Sequence, residues 1–309
     1  MPKADDIRPV YNGASSGLND AIWAPWFGLP TVHSQLRRIE PGTYMGDADV
    51  GEMFHNFMLE EDLQPYVGVD FEQFDFDPSE LKGLSSLLSK TEKQEEILTW
   101  TEMINNAGGE RWTRMCMGMR QSPYQCTQGL HRAEEVIKGL HHEATNPFNW
   151  EHVVLNLPGD KNYNPKLPWV YKVTKEGEIA ADLYTYVDDQ RCTGSTELKC
   201  WSALQRVTGI ISHLGLQSAA RKRREVGQDV GAWPGSIVDT TGGKVRLRTD
   251  QGKWDKTRTW ISKLNNWIKD GEPLNFKELE RMRGFLIYVS RTYTSMTPYL
   301  KGLHQTIDS

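Results

Sequence analysis

Apolar positions along the chain fall mostly at helical spacing, broken by a few short blocks with strand character. Leu198, Trp201, Leu204, Val207, Ile211 and Leu214 recur every three or four residues, which predicts a helix over 197–214 with those six on its buried stripe. Cys126, Leu130, Ala133, Ile137 and Leu140 predict a long helix after Pro123. Trp260, Ile261, Leu264, Trp267 and Ile268 predict another, stopped at Gly271. Asn275 with Glu278 has the spacing of a capping box and opens a helix carrying Phe276, Leu279, Met282, Leu286 and Val289. Residues 78–106 are also helical in pattern, with starts at Pro78-Ser79-Glu80 and at Thr91, and a break at Gly108-Gly109.

Strand signals lie between these. Residues 42–60 hold a strand through Asp47-Ala48-Asp49-Val50, followed by a helical turn at Glu60-Glu61-Asp62. Trp169-Val170-Tyr171-Lys172-Val173 and residues 179–187 predict two strands paired across Lys175-Glu176-Gly177. Residues 144–168 contain four prolines and read as an irregular insertion. Strands interspersed with helices imply an α+β fold.

Composition narrows this only modestly. At 309 residues, 38% hydrophobic and 25% charged, the chain can bury an ordinary core in about two domains. There is no apolar run long enough for a membrane span and no apolar N-terminal signal core. Cys116, Cys126, Cys192 and Cys200 lack metal or disulfide spacing and read as free thiols. An intracellular location, cytoplasmic or nuclear, is the expectation, with no secretion and no membrane partner. The net charge of −5 hides an asymmetry: residues 199–309 balance to +9 and residues 1–198 to −14. Phosphate binding needs local positive potential, so the basic last third is a candidate duplex-facing surface.

The most informative residues are Tyr186-Val187-Asp188-Asp189. Two adjacent carboxylates end an apolar, aromatic strand at a tight turn. Bringing like charges together is expensive unless a cation neutralises them, and oxygen donors favour Mg2+ over Zn2+. Upstream, Asp49 is followed five residues later by Phe54, and Gly118-Met119-Arg120-Gln121-Ser122-Pro123 supplies a glycine turn before a helix. Asp47 shares the strand face of Asp49 and is either a decoy or an auxiliary ligand.

This ordered series resembles the palm of reverse transcriptases of retroviruses and LTR-type retrotransposons. The resemblance runs from about residue 3 to about residue 240. It takes in Ile7-Arg8-Pro9-Val10, Leu18-Asn19, Gly28-Leu29-Pro30, His213-Leu214-Gly215-Leu216 and Ala232-Trp233-Pro234-Gly235. It implies a right-hand polymerase with a ferredoxin-like palm sheet backed by helices, partial fingers and a helical thumb. Residues 1–23 would be partial fingers, 24–56 palm, 57–117 fingers, 118–243 palm with the insertion 144–168, and 247–309 thumb. A primer-grip hairpin would span 232–246. The implied activity is DNA synthesis from dNTPs on a primed RNA or DNA template, as part of a retroelement. Two metal ions about 3.5–4 Å apart serve such chemistry. They would be Mg2+, with Mn2+ as a substitute, held by Asp49, Asp188 and the Val50 carbonyl, with Asp189 tuning the site.

The resemblance also assigns substrate contacts. Arg8 and Lys3 would hold the triphosphate, Lys222 would donate a proton to pyrophosphate or neutralise it, and Phe54 would exclude a 2′-hydroxyl. Gly118, Ser122 and Pro123 would shape the floor for the template and nascent pair, Met117 would stand beside the substrate's sugar or triphosphate, and Trp233, Pro234 and Gly235 would place the primer end. Met117 departs from the glutamine that relatives often carry, which bears on substrate affinity and not on metal binding. No second carboxylate series follows, so RNase H and integrase or recombinase activities are expected from a fused or partner protein. A catalytically silent nucleic-acid-binding relic is the alternative. An RNA-making polymerase is disfavoured by Phe54 and by Tyr186 before the turn.

Overall fold

The computed structural model describes residues 10–29, 39–70, 109–220, 223–271 and 275–308. They divide into two units, one of Met1–Phe27 and Glu52–Gln128, the other of Gly28–Gly51 and Gly129–Ser309. The predicted helical stretch 78–106 lies outside the described residues.

In chain order the strands are β1 (Tyr44–Asp49), β2 (Gly68–Asp70), β3 (Gly109–Arg111), β4 (His152–Leu155), β5 (Val170–Val173), β6 (Leu183–Tyr186) and β7 (Asp189–Gly194). They continue with β8 (Arg224–Gly227), β9 (Asp229–Ala232), β10 (Ile237–Asp239) and β11 (Arg246–Arg248). The helices are α1 (Leu18–Ala21), α2 (Ser122–Lys138), α3 (Glu197–His213), α4 (Gln251–Asp270), α5 (Phe276–Ser290) and α6 (Leu300–Asp308).

The first unit is held by a small core of Leu59, Val67, Cys116 and Met119, against which Tyr11, Leu18, Ile22, Leu63 and Trp112 pack. Strands β2 and β3 form its short ribbon. The turn predicted at Glu60-Glu61-Asp62 is present and leads into a 3-10 helix, Gln64–Tyr66.

The second unit contains an antiparallel sheet of order β6-β7-β1-β8. With α2 after β1 and α3 after β7, the connection is the split β-α-β-β-α-β of ferredoxin-like folds. Helix α3 packs on β1 and β7. Its buried stripe is Cys200, Ala203, Leu204, Val207 and Ile211. Three residues predicted for that stripe are exposed instead: Leu198, Trp201 and Leu214. Steps of three precess by about 60° per step on a helix of 3.6 residues per turn, so a run of such steps leaves the core face. Leu140 likewise lies beyond the end of α2 and is exposed.

Strand β5 corrects the predicted pairing. Its ladder partner is β4, inside the stretch read as irregular, in register His152↔Val173 to Leu155↔Val170. Only the bridge Val173↔Ile179 remains of the expected hairpin. Beyond it the chain switches partner: Asp182 N–H reaches Thr193 Oγ1 at 3.1 Å, and β6 pairs with β7. A strand has two edges, and sequence neighbourhood does not say which one is used.

A second sheet, of order β11-β10-β9, follows. The strands span 229–248, so the predicted 232–246 hairpin is one part of a three-stranded sheet. Helix α4 starts at Asp250, whose side chain caps Lys253 N, and ends at Gly271 in the left-handed conformation. Asn275 caps α5 by accepting from Glu278 N at 3.1 Å, while the Glu278 carboxylate pairs with Lys263. Leu279, Met282, Leu286 and Val289 are buried on α5, and Phe276 is exposed.

Candidate active site

The two-residue turn between β6 and β7 is Val187-Asp188, closed by the pair Tyr186↔Asp189. Val187 has φ 56°, a left-handed conformation that a β-branched residue rarely takes. A positive φ at the first turn position matches the twist of paired strands and normally calls for glycine. Strain of this kind, of order 1–3 kcal/mol, persists where the surroundings enforce it.

Strand β1 lies against this hairpin. The register sets Asp49 opposite Asp189, and Val50 N–H donates to the Asp188 carbonyl at 3.0 Å. On the other side, Gly51 N–H donates to Gln217 O at 2.7 Å and Ala219 N–H to Asp49 O at 3.0 Å. Those two bonds flank the pair Val50↔Ser218 and leave the Val50 carbonyl outside them. Asp49 is buried; Asp188 and Asp189 are half-buried. Three carboxylates separated by up to 140 positions thus meet at one end of one sheet.

Their proximity is visible electrostatically. Burial first, then the charges of Asp188 and Asp49, a hydrogen bond with Asp49 and the charge of Asp47 push the Asp189 carboxyl up to about 7. A divalent cation is the natural counter-charge for such an oxygen-only set. Among the described residues no three His, Cys, Asp or Glu side chains close into a ready cage for an ion. The donor set at issue is smaller, two carboxylates and a backbone carbonyl, which suits an ion that keeps waters and shares its remaining positions with substrate phosphates.

Asp47 has another task. Arg191, which is fully buried, grips it through Nε at 2.7 Å and Nη2 at 2.8 Å, and Arg224 Nη1 adds a contact at 3.1 Å. A carboxylate so occupied is not an auxiliary metal ligand. The pairing was legible in principle. In an antiparallel ladder with Asp49 opposite Asp189, stepping back two residues on β1 and on two residues on β7 brings Asp47 to Arg191.

Trp233 lies in the core. Its ring is 2% exposed, edge-on to Tyr184 and Tyr186 with centroids at 6.3 and 6.4 Å. It anchors the β9–β10 turn in the core by its ring. Pro234 and Gly235 form the half-exposed tip, closed by Trp233 N–H to Ser236 O at 2.7 Å.

Phe54, Met117, Gly118 and Ser122 lie in the first unit, although the resemblance puts all but Met117 in the palm. Phe54 is half-buried in the 3-10 turn Met53–Asn56. Gly118 has φ 96°, and a Cβ there would fall 1.7 Å from the Tyr11 carbonyl oxygen, so only glycine fits. Tyr11 N–H donates to Met117 O at 2.8 Å, and Asn19 clamps the loop through Gly118 O at 2.9 Å and Arg120 N at 2.8 Å. Ser122, at the start of α2, is buried. Lys3, Arg8 and Lys222 lie outside the described residues.

No protein-family model matches the chain, and no curated protein matches it. Among solved structures it is similar to a foamy viral protease-reverse transcriptase dRH in complex with double-stranded DNA. The TM-score is 0.57 at 14% identity, over 100% of this chain and 38% of that one. The foamy viral protease-reverse transcriptase in complex with an RNA/DNA hybrid gives 0.49 at 15%, over 92% and 26%. The chain therefore spans less than two-fifths of the length of the first of these proteins. No helix among the described residues is long and apolar enough to cross a membrane. At 14% identity the likeness is one of fold, to part of the foamy viral protease-reverse transcriptase chain.

Proposed function

We propose that the chain is the polymerase core of an RNA-directed DNA polymerase of a retroelement, adding deoxynucleotides to a primer on an RNA or DNA template. The observation that carries this reading is the meeting of Asp49, Asp188 and Asp189 at the strained turn between β6 and β7, with the backbone of Val50 tied to Asp188. In this reading the four-stranded sheet with α3 is the palm, α4 to α6 the thumb, and residues 57–117 belong to the fingers.

Asp49, Asp188 and the Val50 carbonyl would hold two Mg2+ ions, for which Mn2+ would substitute, and Asp189 would tune their charge. When bound, such ions lower the pKa of the attacking hydroxyl and neutralise the leaving pyrophosphate. The rest falls to the chain. Phe54 would leave no room for a 2′-hydroxyl. Arg8, Lys3 and Lys222 would neutralise the triphosphate. Gly118 and Ser122 would support the nascent pair, and the Pro234-Gly235 tip would place the primer end. The basic residues after 199 would follow the duplex backbone, with the salt dependence that phosphate contacts bring.

A labelled primer on an RNA template, with Mg2+ and either dNTPs or rNTPs, tests the reading. Extension with dNTPs alone is expected. The silent-relic reading, which Met117 favours, expects duplex binding without extension. Extension with rNTPs would instead make the chain an RNA polymerase.

A further inference from the structure

We propose that Asp47, Arg191 and Arg224 form a positioning device that locks the β9–β10 hairpin to the carboxylate strand. The inference rests on the polymerase reading and deepens it. Strand β9 belongs to the second sheet and has no ladder with β1 or β8. Two guanidinium groups join it to the first sheet instead. Arg191 Nη2 donates to Gly231 O at 3.2 Å, and Arg224 Nη1 donates to Val230 O at 3.1 Å and Ala232 O at 2.7 Å. Both arginines converge on the one carboxylate of Asp47, two residues before Asp49 on the same strand face.

Arg191 stands in the same relation to the hairpin turn, two residues after Asp189. The joint therefore ties both carboxylate strands to β9. Gly231 has φ 92°, and a Cβ there would lie 3.0 Å from Arg224 Nη1, so the clamp closes on a residue without a side chain. The next ring but one, Trp233, lies beneath the Arg191 guanidinium at 5.5 Å from centroid to Cζ. From the far side the segment just after α5 holds the turn, through a hydrogen bond between Ser236 Oγ and Thr292 Oγ1 at 2.5 Å.

Burying Asp47 with Arg191 in this way is a poor device for stability, because well-packed apolar residues do as well or better. It is a good device for geometry. A guanidinium fork fixes direction as well as distance, which an ammonium does not. The geometry it fixes is the distance from the hairpin tip, where the primer end would rest, to Asp49 and Asp188. Asp47, Arg191 and Arg224 are positioning residues and touch no substrate.

The test compares the wild-type chain with Arg191→Lys and with Arg224→Lys, which sits at a half-exposed site and spares the core. Each keeps its charge and loses the fork. Two readouts are taken on folded protein: single-turnover extension of a primed RNA template, and ultraviolet crosslinking from a primer ending in 4-thiothymidine with Ca2+ present. Misplacing the primer end by about 1 Å is expected to lower kcat about 100-fold, with dNTP KM and duplex affinity within about threefold of wild type. Crosslinks are expected on Pro234 and Gly235 in the wild type and should scatter in the variants. Unchanged kcat in both variants would make the clusters structural only and overturn the proposal. A rise in KM with kcat intact would overturn it too. If the wild type extends no primer, the polymerase reading falls and crosslinking alone decides: scatter supports the clamp, an unchanged pattern overturns it. A wild-type chain that holds no duplex overturns both.

Discussion

Without metal, the folded state should lose stability as pH rises from about 4 to about 7, and Mg2+ should restore it most at the alkaline end. The cause is Asp189, whose carboxyl is pushed from its ordinary 3.8 up to about 7 by burial, by the charges of Asp188 and Asp49, and by the hydrogen bond with Asp49. In the unfolded chain the same group titrates near its ordinary value. Below about 4 both states are protonated, and above about 7 both are ionised. Between those limits the folded state holds more proton than the unfolded one, so the free energy of unfolding declines with rising pH. This is the reverse of the usual salt-bridged carboxylate. A rise of three tenfold steps in proton affinity is worth about 4 kcal/mol. Asp189 is half-buried, so solvent screening brings the expected effect to about 2 kcal/mol.

The assay is thermal unfolding at pH 5, 6, 7 and 8, with EDTA or with Mg2+, on the wild type and on Asp189→Asn. About 2 kcal/mol corresponds to roughly 4 °C for a chain of this size. In EDTA the wild type should lose about three-fifths of that, roughly 2–3 °C, relative to Asp189→Asn between pH 5 and pH 8, because every other titrating group is common to both. Mg2+ at about 100 times its Kd stabilises by about 2.7 kcal/mol where the site is ionised. The Mg2+ shift should therefore be larger at pH 8 than at pH 5. Parallel pH curves for the two proteins in EDTA would refute the reasoning, because the carboxylates would then not be coupled. A Mg2+ shift of equal size at both pH values would show that the ion binds elsewhere.

Other substitutions separate the roles within the site. Asp188→Asn keeps shape and removes one charge, so extension should fall by about a thousandfold or more while salt-sensitive duplex binding survives, as filter binding would show. Phe54→Ala should raise the rNTP-to-dNTP ratio of kcat/KM; an unchanged ratio in a folded variant would leave Phe54 as packing alone. Val187→Gly relieves about 1–2 kcal/mol of left-handed strain and adds about 0.5–1 kcal/mol of chain entropy, so urea unfolding should show equal or slightly higher stability. Extension should fall at the same time, because a glycine turn no longer enforces the placement of Asp188. A marked loss of stability would mean that the Val187 side chain packs.

What could be read from the sequence, and what could not, follows from the range of each interaction. Local signals survived well: Pro123 at the start of α2, the Asn275 cap of α5 and the Gly271 stop of α4 are each decided within one helical turn. Parity along a strand was also legible, since Asp47 and Asp49 do share a face. What parity cannot give is the partner strand, and that alone decides whether a carboxylate on this face meets a carboxylate or a guanidinium. Asp49 meets Asp189 and Asp47 meets Arg191, one row apart in the same ladder. The same limit explains β4, a four-residue run hidden between prolines that becomes a strand only because β5 lies beside it. It explains Trp233 as well. The sequence did not say what surrounds its ring; Tyr184, Tyr186 and Arg191, all brought by another sheet, bury it. Motif order pointed to where the chemistry would be, but the pairing that occupies Asp47 is set by residues the motifs do not include. Arg191 is the clearest case. It sits two positions past the most telling motif in the chain, and its function became apparent only with the register of β1 against β7.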